Sequence, residues 1–443
     1  MSKLNKFLRY YLKKNISRFH VPGHQGRCEN LNRMLGAKFD ITEIKGSGFL
    51  FGELGHLNPI NGVELQLSKL YGRHVVISTC GSTLCIQTMV ALCRNKIFLA
   101  HRHSSHVSFF NVCAVLGVYV EWFGFDDDAF GISNFNLVEL EQKLNKFTNG
   151  TCVVFITSPD YYGISADILA IKQICKKFNA LLLVDCAHGA HLNFLSDGAH
   201  PAMQGAHLVC SSLHKTLPAL TGAAILIFDD HIFSKKMVKS VMAKFSTTSP
   251  SYLIMSSIDF CADWLKRCGR QKFAELEFKK QKLINSFKLP FLKTDVSKLV
   301  LDCTKLQITG ETVAQLFRKF YIEPEFYNEN YFVLVLSPFL NRIDFVRLNC
   351  ALRSVENHEK VFELTKQKKL NRKISNNLIV EFCSFDLSEI EVVFINEAFG
   401  RVSAITIIKT PPGTVTVASG ELINWNLLNS LKQQGVNKLA VLK

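Results

Sequence analysis

Leu181-Leu182-Leu183-Val184-Asp185 is four apolar residues closed by a carboxylate. About one helix and one strand later comes Ser211-Ser212-Leu213-His214-Lys215-Thr216-Leu217-Pro218, where a lysine stands among small hydroxyl residues. Both runs read as buried strands that end in a polar group. Burying a charged amine or carboxylate is costly unless it has a partner. Taken singly, Asp185 is equally a helix cap, and Lys215 equally a loop lysine facing solvent.

The pattern around these runs alternates. Val75–Ser78, Ile97–Ala100, Cys152–Thr157, Leu208–Ser211 and Ala223–Phe228 read as strands. Leu84–Leu92, Ser108–Leu116, Leu137–Lys146 and Ile168–Phe178 read as helices between them, the first with Ser82 as a possible N-cap. Alternating strands and helices predict an α/β fold with a mostly parallel sheet and helices on both faces. In such sheets ligands bind beyond the carboxyl ends of the strands, where Gly81-Ser82-Thr83, Asp185 and Ser212–Lys215 all fall. After Pro250 a helical stretch from Tyr252 to Lys266 continues toward Phe287, and short mixed segments follow, including Lys298–Asp302 and Tyr331–Leu336. The polar stretch Lys366–Asn377 reads as a linker. Beyond it, Leu378–Cys383 and Val402–Ile408 read as strands and Asn424–Gln433 as a helix. The expected organisation is an N-terminal arm and helices (1–70), a large domain (71–285), a small α+β domain (286–365) and a C-terminal domain (366–443).

Composition narrows the class. A chain of 443 residues has ample material for two or three domains. No apolar run reaches the roughly 18 residues of a membrane span, and Met1–Ser17 lacks the apolar core of a secretory signal. Fourteen cysteines without a C-x-x-C spacing suit reduced, buried thiols in a cytoplasmic protein. The net charge of +15 is spread along the chain in lysine pairs, so a solvated basic face fits better than a nucleic-acid site.

Three constellations carry chemistry. Gly81-Ser82-Thr83, between a strand and a helix, offers backbone N–H groups and two hydroxyls to a phosphate; a glycine turn with a serine cap reads the same way. Asp185 with Lys215 is the pair that pyridoxal phosphate needs: an amine to hold the aldehyde as a Schiff base and a carboxylate to keep the pyridine nitrogen protonated. His101, His103, His106, His188 and His191 raise a metal site, but no H-E-x-x-H or carboxylate triad accompanies them, and no metal is expected.

Seven ordered motifs carry a resemblance. Phe19-His20-Val21-Pro22-Gly23-His24-Gln25-Gly26, Asp40-Ile41-Thr42-Glu43, Ser158-Pro159-Asp160-Tyr161-Tyr162-Gly163 and Asp185-Cys186-Ala187-His188-Gly189-Ala190-His191 are four. Ser212–Thr221, Thr247–Tyr252, and Gly400–Ala404 with Pro411-Pro412-Gly413 complete the set. Together the chain resembles the Orn/Lys/Arg decarboxylase family, in the short form that lacks an N-terminal wing domain. Its departures are Cys186 for a glutamate, Val107 for a lysine, Lys409-Thr410 and Thr414-Val415 in the C-terminal motif, and a broken acidic motif near Glu53-Leu54-Gly55-His56.

The resemblance implies an aspartate aminotransferase-like fold that binds pyridoxal 5'-phosphate, with smaller α+β domains toward the C-terminus and a C-terminal decarboxylase domain. It implies that Lys215 forms the Schiff base, Asp185 binds the pyridine nitrogen, His106 stacks on the ring, and His188 joins the catalytic set. Ser82, Thr83, Ser212 and His214 would hold the phosphate. Thr247 or Thr248 would reach the cofactor of a neighbouring subunit, making a homodimer or higher homo-oligomer. The implied reaction is α-decarboxylation of arginine, lysine or ornithine, with Glu53 and Glu323 as candidates for the distal cation. A same-fold enzyme with another reaction (an aldolase-like lyase or aminotransferase) and a drifted non-catalytic homologue remain alternatives.

Overall fold

The computed structural model describes residues 17–19, 59–102, 104–124, 135–248, 250–306, 308–362, 387–409 and 414–443. Expectations that rest on 20–58, His103, Ser249, the 363–386 linker region or 410–413 lie outside the described residues. Strand β1 is Ser17–Arg18. Helix α1 (Pro59–Tyr71) then leads into a seven-stranded sheet. Its strands are β2 (His74–Ser78), β3 (Ile97–His101), β4 (Val120–Phe123), β5 (Cys152–Thr157), β6 (Leu181–Asp185), β7 (Leu208–Ser212) and β8 (Ala224–Phe228). The spatial order is β2-β8-β7-β6-β5-β3-β4. All neighbours run parallel except β8, which is antiparallel to both β2 and β7.

The period-2 alternation explains why the sheet is covered on both sides. Val154, Ile156, Leu182, Val184 and Val209 face one core, and Val153, Phe155, Leu183, Leu208 and Cys210 face the other. Helices α2 (Gly81–Leu92), α3 (Val107–Leu116), α4 (Leu137–Leu144), α5 (Ile168–Lys177), the single turn α6 (Leu213–Thr216) and α7 (Lys235–Met242) connect or flank the strands. Asp185 is one step past Val184, so the pleat turns its side chain toward the Cys210 face, and the Cys210 thiol donates to it at 3.2 Å.

Beyond the sheet, α8 (Tyr252–Trp264) and α9 (Arg270–Ile284) are joined by a π-helical turn, Leu265–Gly269, where the sequence suggested one continuous helix. A second sheet of three antiparallel strands follows: β9 (Lys298–Asp302), β11 (Phe326–Tyr327) and β12 (Tyr331–Val335), in the order β11-β12-β9. Strand β10 (Ile322–Glu323) instead pairs in parallel with β1, a partnership between residues some 300 positions apart that sequence reading did not foresee. Helices α10 (Gly310–Arg318) and α11 (Arg342–Phe362) accompany this region.

The last segment has its own small core, including Ile423, Leu428, Leu431 and Val441. It holds β13 (Ile390–Phe394), β14 (Ile407–Lys409), β15 (Thr414–Val417), α12 (Trp425–Gln433) and β16 (Lys438–Leu442). The expected strand over Val402–Ile408 is only Ile407–Lys409, with single bridges at Val402 and Ser403, because the chain turns at Ala404-Ile405. The terminal helix forms where expected and is capped by Asn424, which accepts the Leu427 N–H at 3.0 Å. Arg102, just after β3, fixes this segment to the large sheet. It donates to Val415 O at 3.1 Å and to both Glu421 oxygens at 3.2 and 2.9 Å.

Candidate active site

The site gathers at the carboxyl ends of β6 and β7. Asp185 is buried, and its Oδ1 accepts from the Ala187 N–H at 3.0 Å as well as from Cys210. Lys215 leaves the α6 turn after β7. Its Nζ lies 3.0 Å from His188 Nε2, and His188 sits three residues past Asp185. Burial lowers the Lys215 pKa, while the Asp185 charge opposes that shift. His188 is pushed well below the usual imidazole range by burial, then by the charges of Lys215 and Lys298. It is therefore neutral at physiological pH. Its Nδ1 is buried without a hydrogen-bond partner among the described residues.

His106 reaches the same place from α3. It is the N-cap of that helix, and Nδ1 accepts the Ser108 N–H at 3.2 Å. The ring thus caps the helix and faces the site at once. Burial lowers its pKa, Asp185 raises it and Lys215 lowers it further, which puts all three groups in one electrostatic neighbourhood. Ser108 Oγ bonds His106 Nδ1 at 2.8 Å and Thr83 Oγ1 at 3.1 Å, so His106 is tied through one hydroxyl to the first turn of α2.

The four phosphate candidates also converge. Ser82 is the second residue of α2 and not its cap; Cys80 holds that position, with its N–H donated to Ser78 Oγ at 3.2 Å. Ser82 and Thr83 therefore lie in the first turn of α2, where backbone N–H groups have no intrahelical partner. The Gly81 N–H donates to Gly222 O at 2.8 Å, and the next residue's carbonyl, Ala223 O, takes the Leu213 N–H at 2.9 Å and His214 Nδ1 at 3.1 Å. Those bonds bring Ser82 and Thr83 beside Ser212 and His214. Ser212 Oγ is fully buried and has no partner among the described residues. This orphaned hydroxyl, beside the first turn of α2, fits a bound phosphate. Together with an amine and a buried carboxylate, the residues present fit pyridoxal phosphate.

Other expectations resolve differently. Thr247 and Thr248 lie on an exposed loop after α7. His191 Nε2 pairs with Asp295 Oδ1 at 3.0 Å, and His101 Nδ1 lies 3.1 Å from Ser104 Oγ. The one group with metal-like spacing among the described residues is Asp229, Asp230 and His231, away from the site and mostly exposed. Glu323 is committed to Arg318 at 2.7 Å. Two residues on, Glu325 accepts the Tyr161 hydroxyl at 2.9 Å, and its charge acts on Lys215. Glu323 and Glu325 flank Pro324 at the break between β10 and β11, and no pattern in the sequence separates their roles. Cys186, the departure within the Asp185 motif, is a fully buried thiol packed on Gly189.

The strand order, with helices on both faces of the sheet, defines an α/β protein of the fold-type I architecture. Solved structures of the same architecture include lysine decarboxylase A from Pseudomonas aeruginosa (TM-score 0.74, 14% identity, 100% of this chain and 82% of that one). The constitutive lysine decarboxylase of E. coli aligns with TM-score 0.68 at 16% identity, over 99% and 81% of the two chains. The chain belongs to the Orn/Lys/Arg decarboxylase family, whose major domain matches residues 3–325. Arginine decarboxylase of Bacillus subtilis (strain 168) is 27% identical over 93% of this chain and 90% of its own length. That of Bacillus anthracis is 25% identical over 95% and 90%. Among the described residues, no helix is long and apolar enough to cross a membrane.

Proposed function

We propose that the protein catalyses pyridoxal-phosphate-dependent α-decarboxylation of a basic amino acid, releasing an amine of the polyamine class. The observation that carries this reading is Lys215 Nζ set 3.0 Å from a neutral His188, with buried Asp185 on the adjacent strand, inside a chain of this family. Lys215 would hold the cofactor's carbonyl end, Asp185 its ring nitrogen, His106 its face, and Ser82, Thr83, Ser212 and His214 its phosphate. Pyridoxal phosphate, when bound, supplies an electron-withdrawing ring that takes up the electron pair left as carbon dioxide departs.

The remaining work falls to the chain's own groups. Asp185 keeps a negative charge where a ring cation needs it, and its fixed bonds to Ala187 and Cys210 mean it need not reorganise. Burial lowers the Lys215 pKa, which makes its ammonium a better proton donor. His188 Nε2, 3.0 Å from Lys215 Nζ, orients the amine that would protonate the substrate's Cα.

The shared active site of a homodimer or higher oligomer is part of the same reading, supported by the exposed Thr247 and Thr248 loop. The test is carbon dioxide release from a panel of arginine, lysine, ornithine and neutral and acidic amino acids. Release from one or more basic members is the expected result. Release only from neutral or acidic members would overturn the substrate class. Transamination or aldol cleavage without release would favour a different reaction on the same fold.

A further inference from the structure

Lys298, on β9, is 0% exposed, and its Nζ has no hydrogen-bond partner among the described residues. A buried, unpaired ammonium is among the most costly groups a fold can carry. It lies 5.2 Å over the face of the Tyr161 ring. The Tyr161 ring in turn stands edge-on to His188 at 5.2 Å. The approach is built in. Gly163 adopts φ +85°, and a Cβ there would come within 2.6 Å of Lys298 Cγ. Only glycine lets the Ser158–Gly163 loop close over the lysine stem. Lys298 therefore presents a cation to the His188–Lys215 cluster from the opposite wall. Burial lowers its own pKa, and Glu325, then Asp295 and Asp160, oppose that shift. Asp295 Oδ1 is engaged by His191 and by Ser297 N–H and Oγ while its Oδ2 has no hydrogen-bond partner among the described residues, and Asp160 is engaged by the N–H groups of Tyr162 and Ile164. Neither gives Nζ a hydrogen bond. The cationic and imidazole groups around the site are Lys298, Lys215, His188 and His106, with Glu325 bound to Tyr161.

We infer that Lys298 binds the α-carboxylate of the amino-acid substrate. The inference rests on the decarboxylase reading and adds the residue that orients the leaving carboxylate. An anion entering between Lys298 and Lys215 supplies the hydrogen-bond acceptor that Nζ lacks, at a site where a charge-assisted bond is strong because water is excluded. A purely structural lysine predicts the opposite behaviour, because its removal would cost stability. Removing an unpaired buried charge in favour of an apolar isostere is neutral or stabilising.

Two pairs of unreactive probes separate carboxylate recognition from the rest of the site. 5-Guanidinopentanoate and 6-aminohexanoate keep the carboxylate and lack the α-amine; agmatine and cadaverine keep the amine and lack the carboxylate. Binding to the pyridoxal-phosphate-loaded enzyme is measured by calorimetry, and melting temperature is followed alongside. Lys298→Met should weaken the acid probe that binds wild type by roughly tenfold or more while amine affinity moves less than about threefold, with no fall in melting temperature. Equal losses for acids and amines, or no loss for either, would overturn the assignment. Should Lys298→Met fail to fold, the wild-type enzyme still decides: the primary amides of the two acid probes should bind about tenfold more weakly than the acids. Equal binding of amide and acid would refute a carboxylate-reading cation. If wild type binds neither acids nor amines, the basic-amino-acid reading itself fails, and Lys298's role falls with it.

Discussion

Acidification from pH 7 to pH 5 should remove about 2 kcal/mol of native stability through His200 alone. His200 is completely buried against Tyr71, with ring centroids 5.3 Å apart. Its Nδ1 accepts the Ala202 N–H at 3.2 Å, and its Nε2 bonds Ser211 Oγ at 3.2 Å. A proton on Nδ1 would point into that N–H. Burial, then the charge of His191, lowers its pKa from 6.5 to about 3. In the unfolded chain the imidazole titrates near 6.5, so at pH 5 it is protonated by about thirty to one, while the native ring stays neutral. The unfolded state binds the extra proton and is favoured as pH falls. The contribution is fully present above pH 6.5 and is lost on the way down toward about 3. The free energy of a thirtyfold ratio is about 2 kcal/mol, and any native pKa below about 4 gives the same figure at pH 5. The assay is urea unfolding of wild type and His200→Gln at both pH values. Glutamine can keep both hydrogen bonds and does not titrate, so its stability should fall by about 2 kcal/mol less than wild type between pH 7 and 5. His188 and His207 titrate alike in both proteins and cancel. Identical pH dependence in the two proteins would refute the argument.

Asp185→Asn should keep pyridoxal phosphate but lower turnover by at least ~100-fold, because the charge facing the ring nitrogen is gone; cofactor absorbance and carbon dioxide release measure the two, and near-normal release would show that the ring does not depend on Asp185. Arg102→Met should destabilise the protein by about 3–5 kcal/mol, since it strands Glu421 as a buried, unpaired carboxylate at 1% exposure. Adding Glu421→Gln should recover part of that loss in urea midpoints, and strictly additive losses would refute a coupled pair. Mixing inactive Lys215→Ala subunits with inactive Thr247→Ala/Thr248→Ala subunits should restore activity if the loop serves the neighbouring subunit's site, and a hybrid with no activity would place the loop elsewhere.

The alternation of apolar runs and amphipathic helices from residue 75 to 228 was enough to predict an α/β sheet, because parallel strands buried on both faces leave an unbroken hydrophobic signature. The carboxylate after Leu181–Val184 and the lysine after Leu208–Ser212 were legible for the same reason: a charge at the end of a buried strand stands out against its neighbours. Boundaries set by local geometry were less legible. Ser82 looked like a cap, yet the helix starts earlier at Gly81, and the π-helical turn at Leu265–Gly269 has no marker in helical propensity.

Sequence alone determined the class of the sheet, the placing of Asp185 and Lys215 at and just beyond strand ends, and the motif order that places the chain in its family. Tertiary structure decided which groups meet. Strand β10 pairs with β1, Glu323 turns to Arg318 while Glu325 turns to Tyr161, and Lys298 arrives opposite His188 from a strand more than eighty residues beyond Lys215. These facts depend on long-range packing, which local patterns of hydrophobicity and turn chemistry do not encode. A lysine at the start of a short strand reads as solvated until the fold closes Gly163 over its stem and shuts water out.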